Sequence, residues 1–242
     1  MATTLPISET FLSIQGEGKL VGVPSYFIRL SGCNLRCAWC DTPYASWNPD
    51  GGQEEIEVLA AKAAANASHV VVTGGEPLIF DRLALLLGAL KRAGAGAGLH
   101  ITIETAGTMY KPELAKGLVD LISISPKLSN STPINDPRDP DGKWMRLHEA
   151  RRINLEALQA LIDLPCDRQL KFVVQAPRDV EEIDRLLATL QRWKADDILL
   201  MPEGIRTPSE ERKRWIASMC VERGWRYCSR LHIEIYGNRR GT

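Results

Sequence analysis

Residues 24–42 read PSYFIRLSGCNLRCAWCDT, an apolar, β-branched and aromatic run followed at once by three cysteines. The run from Pro24 predicts a strand. The spacing Cys33-x3-Cys37-x2-Cys40 puts three thiols on the loop at that strand's C-terminal end, the ligand-binding face of parallel βα architectures. Three thiolates on a four-iron cluster leave one iron open to an outside ligand, whereas four would saturate it. The alternatives are buried free cysteines or a zinc knuckle borrowing His69 or Cys228. Zinc pairs usually read C-x2-C with a second, similar pair downstream, and the chain has no such second pair.

Working outward, five more apolar strand candidates recur: HVVVT from His69, HITIET from His100, VDLISIS from Val119, LKFVVQ from Leu170 and DILLMP from Asp197. Their near-continuous apolar character suits strands buried on both faces. Helical patterns fall at 53–67, 79–93, 147–162, 180–193 and 209–223, while little more than PELAKG joins the third strand to the fourth. A closed eightfold barrel needs about 250 residues and eight units. Six units predict an α/β fold, an open partial (β/α)6 TIM-like barrel, as a single domain over 1–242 with the cysteines in a loop at 31–47. Two segments break the rhythm. GAGAG at 94–98 reads as a helix exit with a turn, and SPKLSNSTPINDPRDPDGKW from Ser125 as a Pro-rich surface loop, flexible over 128–145.

Lys plus Arg and Asp plus Glu are each 30, so no global field draws the chain to nucleic acid or an anionic membrane. MATTLPISETF has neither a basic n-region nor an apolar h-region, and LALLLGAL is too short to span a bilayer. The expectation is a cytoplasmic protein without membrane or nucleic-acid partners. Cys166, Cys220 and Cys228 lie far from the cluster and read as small buried hydrophobes.

With Trp39 before its last cysteine, the motif Cys33 to Cys40 resembles the radical S-adenosylmethionine superfamily. The resemblance implies a 4Fe-4S cluster on Cys33, Cys37 and Cys40 whose open iron is chelated by the methionyl amino and carboxylate groups of S-adenosylmethionine. Reductive cleavage would then give a 5'-deoxyadenosyl radical. Trp39 would lie beside the adenine or plug the cluster, and Asp41 would join the cofactor site. Thr73-Gly74-Gly75-Glu76-Pro77 resembles the superfamily's glycine-rich motif: Gly75 lets backbone approach the ligand, and the Glu76 carboxylate suits an ammonium. On its own GGEP is a turn before a helix, with Glu76 at the helix N-terminus. Ser125-Pro126-Lys127 resembles the segment that meets the cofactor's ribose and carboxylate, though Lys127 alone could be a solvated lysine.

Ile14-Gln15-Gly16-Glu17-Gly18, Phe27-Ile28-Arg29-Leu30, Ser31-Gly32-Cys33-Asn34, Trp39-Cys40-Asp41-Thr42 and Tyr236-Gly237-Asn238 together resemble the 7-carboxy-7-deazaguanine synthase family. That resemblance implies a lyase, a homodimer, that contracts 6-carboxy-5,6,7,8-tetrahydropterin to 7-carboxy-7-deazaguanine with loss of ammonia, on the route to queuosine and other 7-deazapurines. An external flavodoxin-like or ferredoxin-like donor would supply the electron. A carboxylated pterin needs an anion partner, and Arg29 in an otherwise apolar strand offers a bidentate one; its alternative is an ion pair with a carboxylate such as Glu17. Ile14, Gln15, Gly16, Thr73 and Thr242 would complete the substrate site. Thr42 would ligate Mg2+ or cap the next turn. The rival readings are a glycyl-radical activase and an electron-transfer Fe-S protein.

Overall fold

The chain is built as nine strands and seven helices among the described residues, 3–94 and 98–242 of a computed structural model. The strands are β1 (Thr4–Ile14), β2 (Pro24–Leu30), β3 (Gly52–Glu55), β4 (His69–Gly74), β5 (His100–Thr105), β6 (Leu121–Ile124), β7 (Asp167–Val174), β8 (Ile198–Pro202) and β9 (Arg226–Tyr227). The helices are α1 (Ile56–Asn66), α2 (Leu83–Ala93), α3 (Lys143–Arg151), α4 (Leu155–Ile162), α5 (Pro177–Leu187), α6 (Glu210–Arg223) and α7 (Leu231–Tyr236). All nine strands join one sheet of order β3-β1-β2-β4-β5-β6-β7-β8-β9. From β2 to β9 every pairing is parallel, and β1 and β3 add an antiparallel edge. The sheet does not close, which makes it the open partial barrel expected from six βα units.

Alternation along the strands separates core from site. Ile28, Val72, Ile103, Ile122 and Phe172 are fully buried in the hydrophobic core, while Arg29, Thr73, Glu104, Ser123 and Lys171, one step along each strand, line a pocket on the opposite face. Apolar runs such as Val70 to Val72 are buried on both faces of the sheet.

The structure departs from the sequence reading in several places, among them the short β9 and α7, which that reading did not expect. The expected helix at 53–67 starts as β3, which pairs with β1, a strand absent from the expected set. The helix at 147–162 is two helices, because Asn154 adopts an extended backbone and its side chain accepts from Ala157 N–H to start α4. The helix at 180–193 begins earlier, with Pro177 in its first turn, where a missing N–H costs nothing. Residues 128–145 contain a 3-10 turn and the start of α3, whose first turn is capped by the Asp139 carboxylate accepting from Trp144 and Met145 N–H at 3.0 and 2.7 Å. Within the glycine run at 94–98, Gly94 ends α2 as expected, and residues 95–97 lie outside the described set. No helix among the described residues is long and apolar enough to cross a membrane.

Candidate active site

The loop after β2 delivers its three thiols to one pocket of about 530 Å3. The loop is held from several sides. Gly32 N–H donates to Ala45 O at 2.9 Å, Ala38 N–H to Ser131 O at 2.8 Å, and the Trp47 indole to Cys37 O at 3.0 Å. Arg36 is buried inside the loop, donating to the carbonyls of Cys33 and Leu35, with its guanidinium carbon 3.9 Å from the Trp144 ring centroid. Leu35 N–H points at Cys33 Sγ at 3.4 Å, and Ser46 Oγ lies 3.1 Å from Cys40 Sγ. Burial pushes the Cys33 thiol up to about 12 and raises Cys37 as well, so holding a metal there would require that their protons leave. Among the described residues no three His, Cys, Asp or Glu side chains gather about a point where a single ion would sit.

The next strand closes against this loop through glycine. A side chain at Gly75 would run into the carbonyls of Gly32 and Ala45 and into Cys33 Cβ. Glu76 is fully buried and does not line the pocket. Its carboxylate accepts from Leu78 N–H at 3.0 Å, Thr105 Oγ1 at 2.7 Å and Ala106 N–H at 2.7 Å. Instead of facing an ammonium it fastens the end of β4 to the end of β5, and burial raises its pKa against those three donors.

Ser125 and Lys127 line the pocket, with Pro126 buried between them. Lys127 Nζ donates to Ser125 O at 2.8 Å and stands 5.8 Å from the Trp39 ring centroid. The Trp39 indole donates to Asn130 O at 3.0 Å, and its ring packs on Val173, Leu199, Met201 and Cys228.

The remaining expected residues meet at the same cavity. Ile14, Gln15, Gly16, Arg29, Thr73, Asp41, Thr42 and Thr242 all line it. Gln15 Nε2 donates to Ser25 Oγ at 3.0 Å, and a side chain at Gly16 would strike the His232 ring. Arg29 lies in register with Thr73 and gives its Nε–H to Glu9 at 2.7 Å, so its ion-pair partner is Glu9 and not Glu17. Thr42 stands at the start of the 3-10 turn Pro43–Ala45, yet its side chain makes no capping bond; the hydroxyl lies 3.8 Å from Cys40 Sγ. Of the residues expected from sequence, Glu76 and Pro126 alone stay behind the pocket wall.

Residues 27–157 match the Radical SAM superfamily. A 7-carboxy-7-deazaguanine synthase of Halobacterium salinarum is 43% identical over 97% of this chain and 91% of its own. That of Rhodopirellula baltica is 45% identical over 99% of this chain and 90% of its own. The chain belongs to the 7-carboxy-7-deazaguanine synthase family. A crystal structure of QueE from Escherichia coli superposes with a TM-score of 0.69 at 30% identity, over 95% of both chains. Streptococcus suis SuiB, solved with S-adenosylmethionine, shares the fold alone, with a TM-score of 0.52 at 14% identity over 81% of this chain and 47% of that one.

As a radical S-adenosylmethionine enzyme of the 7-carboxy-7-deazaguanine synthase family, the chain uses a 4Fe-4S cluster and S-adenosylmethionine. Its pocket also contains charges that the sequence reading did not assign to it. Glu17 accepts from Lys171 and from Arg230 Nε at 2.9 Å, and Arg230 also pairs with Asp41. Burial alone would raise Glu17, but Lys171 and Arg230 outweigh it and hold the carboxyl well below its ordinary range. Burial likewise opposes the Lys171 charge, and Glu17 with Glu104 outweighs it, so the ammonium persists above its usual range. Lys171 carried the same signal as Arg29, a lone charge in an apolar strand. His232 also lines this synthase-family pocket, beside Gly16.

Proposed function

We propose that the chain contracts 6-carboxy-5,6,7,8-tetrahydropterin to 7-carboxy-7-deazaguanine and releases ammonia, feeding queuosine and other 7-deazapurine synthesis. The observation that carries this reading is the meeting of Arg29, Gln15 and Thr42 with the three thiols in one cavity. A pocket of about 530 Å3 falls within the range of ordinary small-molecule sites, roughly 300–1,000 Å3.

Cys33, Cys37 and Cys40 would hold the 4Fe-4S cluster, with Trp39, Asp41, Gly75, Ser125 and Lys127 bordering the S-adenosylmethionine. Together cluster and cofactor supply reversible hydrogen-atom abstraction when bound. The chain's own residues bind, orient and screen. Arg29 takes the pterin carboxylate as a charge-assisted pair. Gln15 and the backbone of Ile14 and Gly16 meet the pterin's amide-like edge, with Thr73 and Thr242 at its flanks. Lys171 stays protonated and Glu17 ionised at neutral pH, so this pair orients a polar ring without exchanging protons with it. The uncapped Thr42 hydroxyl is the ligand offered to Mg2+, a hard cation that accepts one protein oxygen beside substrate and water oxygens.

Family membership supports three further parts of the proposal: an external flavodoxin-like or ferredoxin-like electron donor, a homodimer and a cytoplasmic setting. The deciding experiment is anaerobic reconstitution with iron, sulfide, S-adenosylmethionine, reductant and the carboxypterin, with mass spectrometry of the product. Ring-contracted product, with substrate deuterium from C6 passing into S-adenosylmethionine, is the expected result. Cofactor cleavage without contracted product overturns the substrate assignment.

A further inference from the structure

Three donors converge on one carboxylate outside the pocket wall. Glu9 Oε1 accepts from Arg29 Nε at 2.7 Å and from Tyr44 OH at 2.8 Å, while Oε2 accepts from Arg240 Nε at 3.1 Å. Glu9 reaches this position through an irregularity in β1. Ile7 pairs with Leu30, but Glu9 pairs with Arg29, so Ser8 is the extra residue of a bulge. In an unbroken ladder Ser8 would oppose Arg29. The bulge puts the carboxylate there instead and turns the Ser8 hydroxyl to Asp50, to which it donates at 2.6 Å.

The occupied edge of Arg29 decides what the rest of it can do. Only Nε is bonded to Glu9; among the described residues Nη1 and Nη2 have no protein acceptor, and neither is a buried orphan. Arg29 lines the pocket, so its terminal fork stays available for a two-point contact with an anion. On the other side, Arg240 donates to Asp50 Oδ2 at 2.8 Å and to Ser8 O at 2.8 Å, and its guanidinium carbon sits 4.1 Å from the Tyr44 ring centroid. Residues 238–242 line the same pocket.

We propose that Glu9 is the positioning residue of the substrate site, fixing the Arg29 fork toward the substrate carboxylate and latching residues 238–242 over the cavity through Arg240. The first half rests on the reading of Arg29 as the carboxylate's partner. Glu9 touches no substrate itself. It acts by removing rotational freedom from two arginines, which lowers the ordering cost when the anion arrives.

The test measures equilibrium binding of the carboxypterin and of its decarboxylated analogue to the unreduced holoenzyme with S-adenosylmethionine. In E9Q and R29K the preference for the carboxypterin over its analogue should fall about tenfold, the scale of one charge-assisted hydrogen bond. E9D, which keeps the charge, should recover most of the loss. If R29K loses carboxylate selectivity and E9Q does not, Glu9 has no positioning role and the Arg29 reading stands. If R29K loses none, the Arg29 reading fails and takes the first half with it. The latch is read separately by amide exchange in R240Q, an exposed-tail substitution outside the core. Faster exchange across 238–242 supports the latch, and unaltered exchange overturns it.

Discussion

His148 Nδ1 accepts the peptide N–H of Arg36 at 3.2 Å, which places a side chain of α3 inside the span between Cys33 and Cys37. The proton must then sit on Nε2, facing Ser131 Oγ at 2.9 Å, while the Ser131 hydroxyl donates onward to Leu128 O at 2.6 Å. Ser131 in turn accepts the Ala38 N–H, so one buried pair of residues holds both halves of the cysteine loop.

This arrangement needs a neutral imidazole, and burial lowers the His148 pKa to about 4. The folded value lies below the unfolded 6.5, so the unfolded chain binds more protons between the two. Stability of the apoprotein should fall as pH drops through that window, by up to roughly 3 kcal/mol. Urea unfolding at pH 7, 6 and 5 should show a shallower loss for H148Q, which keeps an acceptor and a donor but cannot titrate. Equal losses in both proteins would exclude the histidine as the source.

Gly75→Ala should overpack the junction between β4 and the cysteine loop by about 1–3 kcal/mol and lower iron uptake on reconstitution. Gly88→Ala is the control. Its added Cβ meets only Arg92 Nη1, at 3.4 Å, and alanine inside α2 should stabilise by about 0.5–1 kcal/mol. Thermal unfolding of the two variants should shift in opposite directions and iron content should fall only for Gly75→Ala; parallel behaviour would contradict the close approach at Gly75.

Thr42→Val removes a hydroxyl that caps nothing, so unfolding should shift by less than about 0.5 kcal/mol. Turnover should nonetheless need more Mg2+, and Thr42→Ser should restore the original dependence. A valine variant with the parent's Mg2+ titration curve would remove Thr42 from the metal site.

Lys171→Met leaves Glu17 buried with Arg230 as its remaining cation and should destabilise by roughly 3 kcal/mol. Removing both charges in a Glu17→Gln, Lys171→Met pair should cost clearly less than the sum of the single changes. Denaturant midpoints of all four proteins test this, and strict additivity would mean the two groups do not share the burden.

The cysteine loop and the parallel strands were legible because each is written in contiguous residues: a spacing, an apolar run, a glycine pair. Features requiring register were not. The partner of Arg29 is set by which residue of β1 lies opposite it, and a one-residue bulge at Ser8 decides that. β1 itself hid because a half-buried antiparallel strand, lying between β3 and β2, mixes polar and apolar residues instead of running apolar. α3 hid inside a Pro-rich stretch because its start depends on Asp139, whose capping role appears only when its carboxylate is seen to accept from Trp144 and Met145.

Glu76 carries a warning for anyone who would map this enzyme by mutation and assay. Its carboxylate sits in the middle of a ligand-like motif, yet all three of its bonds run inward, to Leu78, Thr105 and Ala106. A scan scored on turnover alone would rank it beside the cysteines and credit it with gripping the cofactor. Scored on folding as well, it would emerge as the rivet between two strand ends, holding the wall behind the pocket and not its contents.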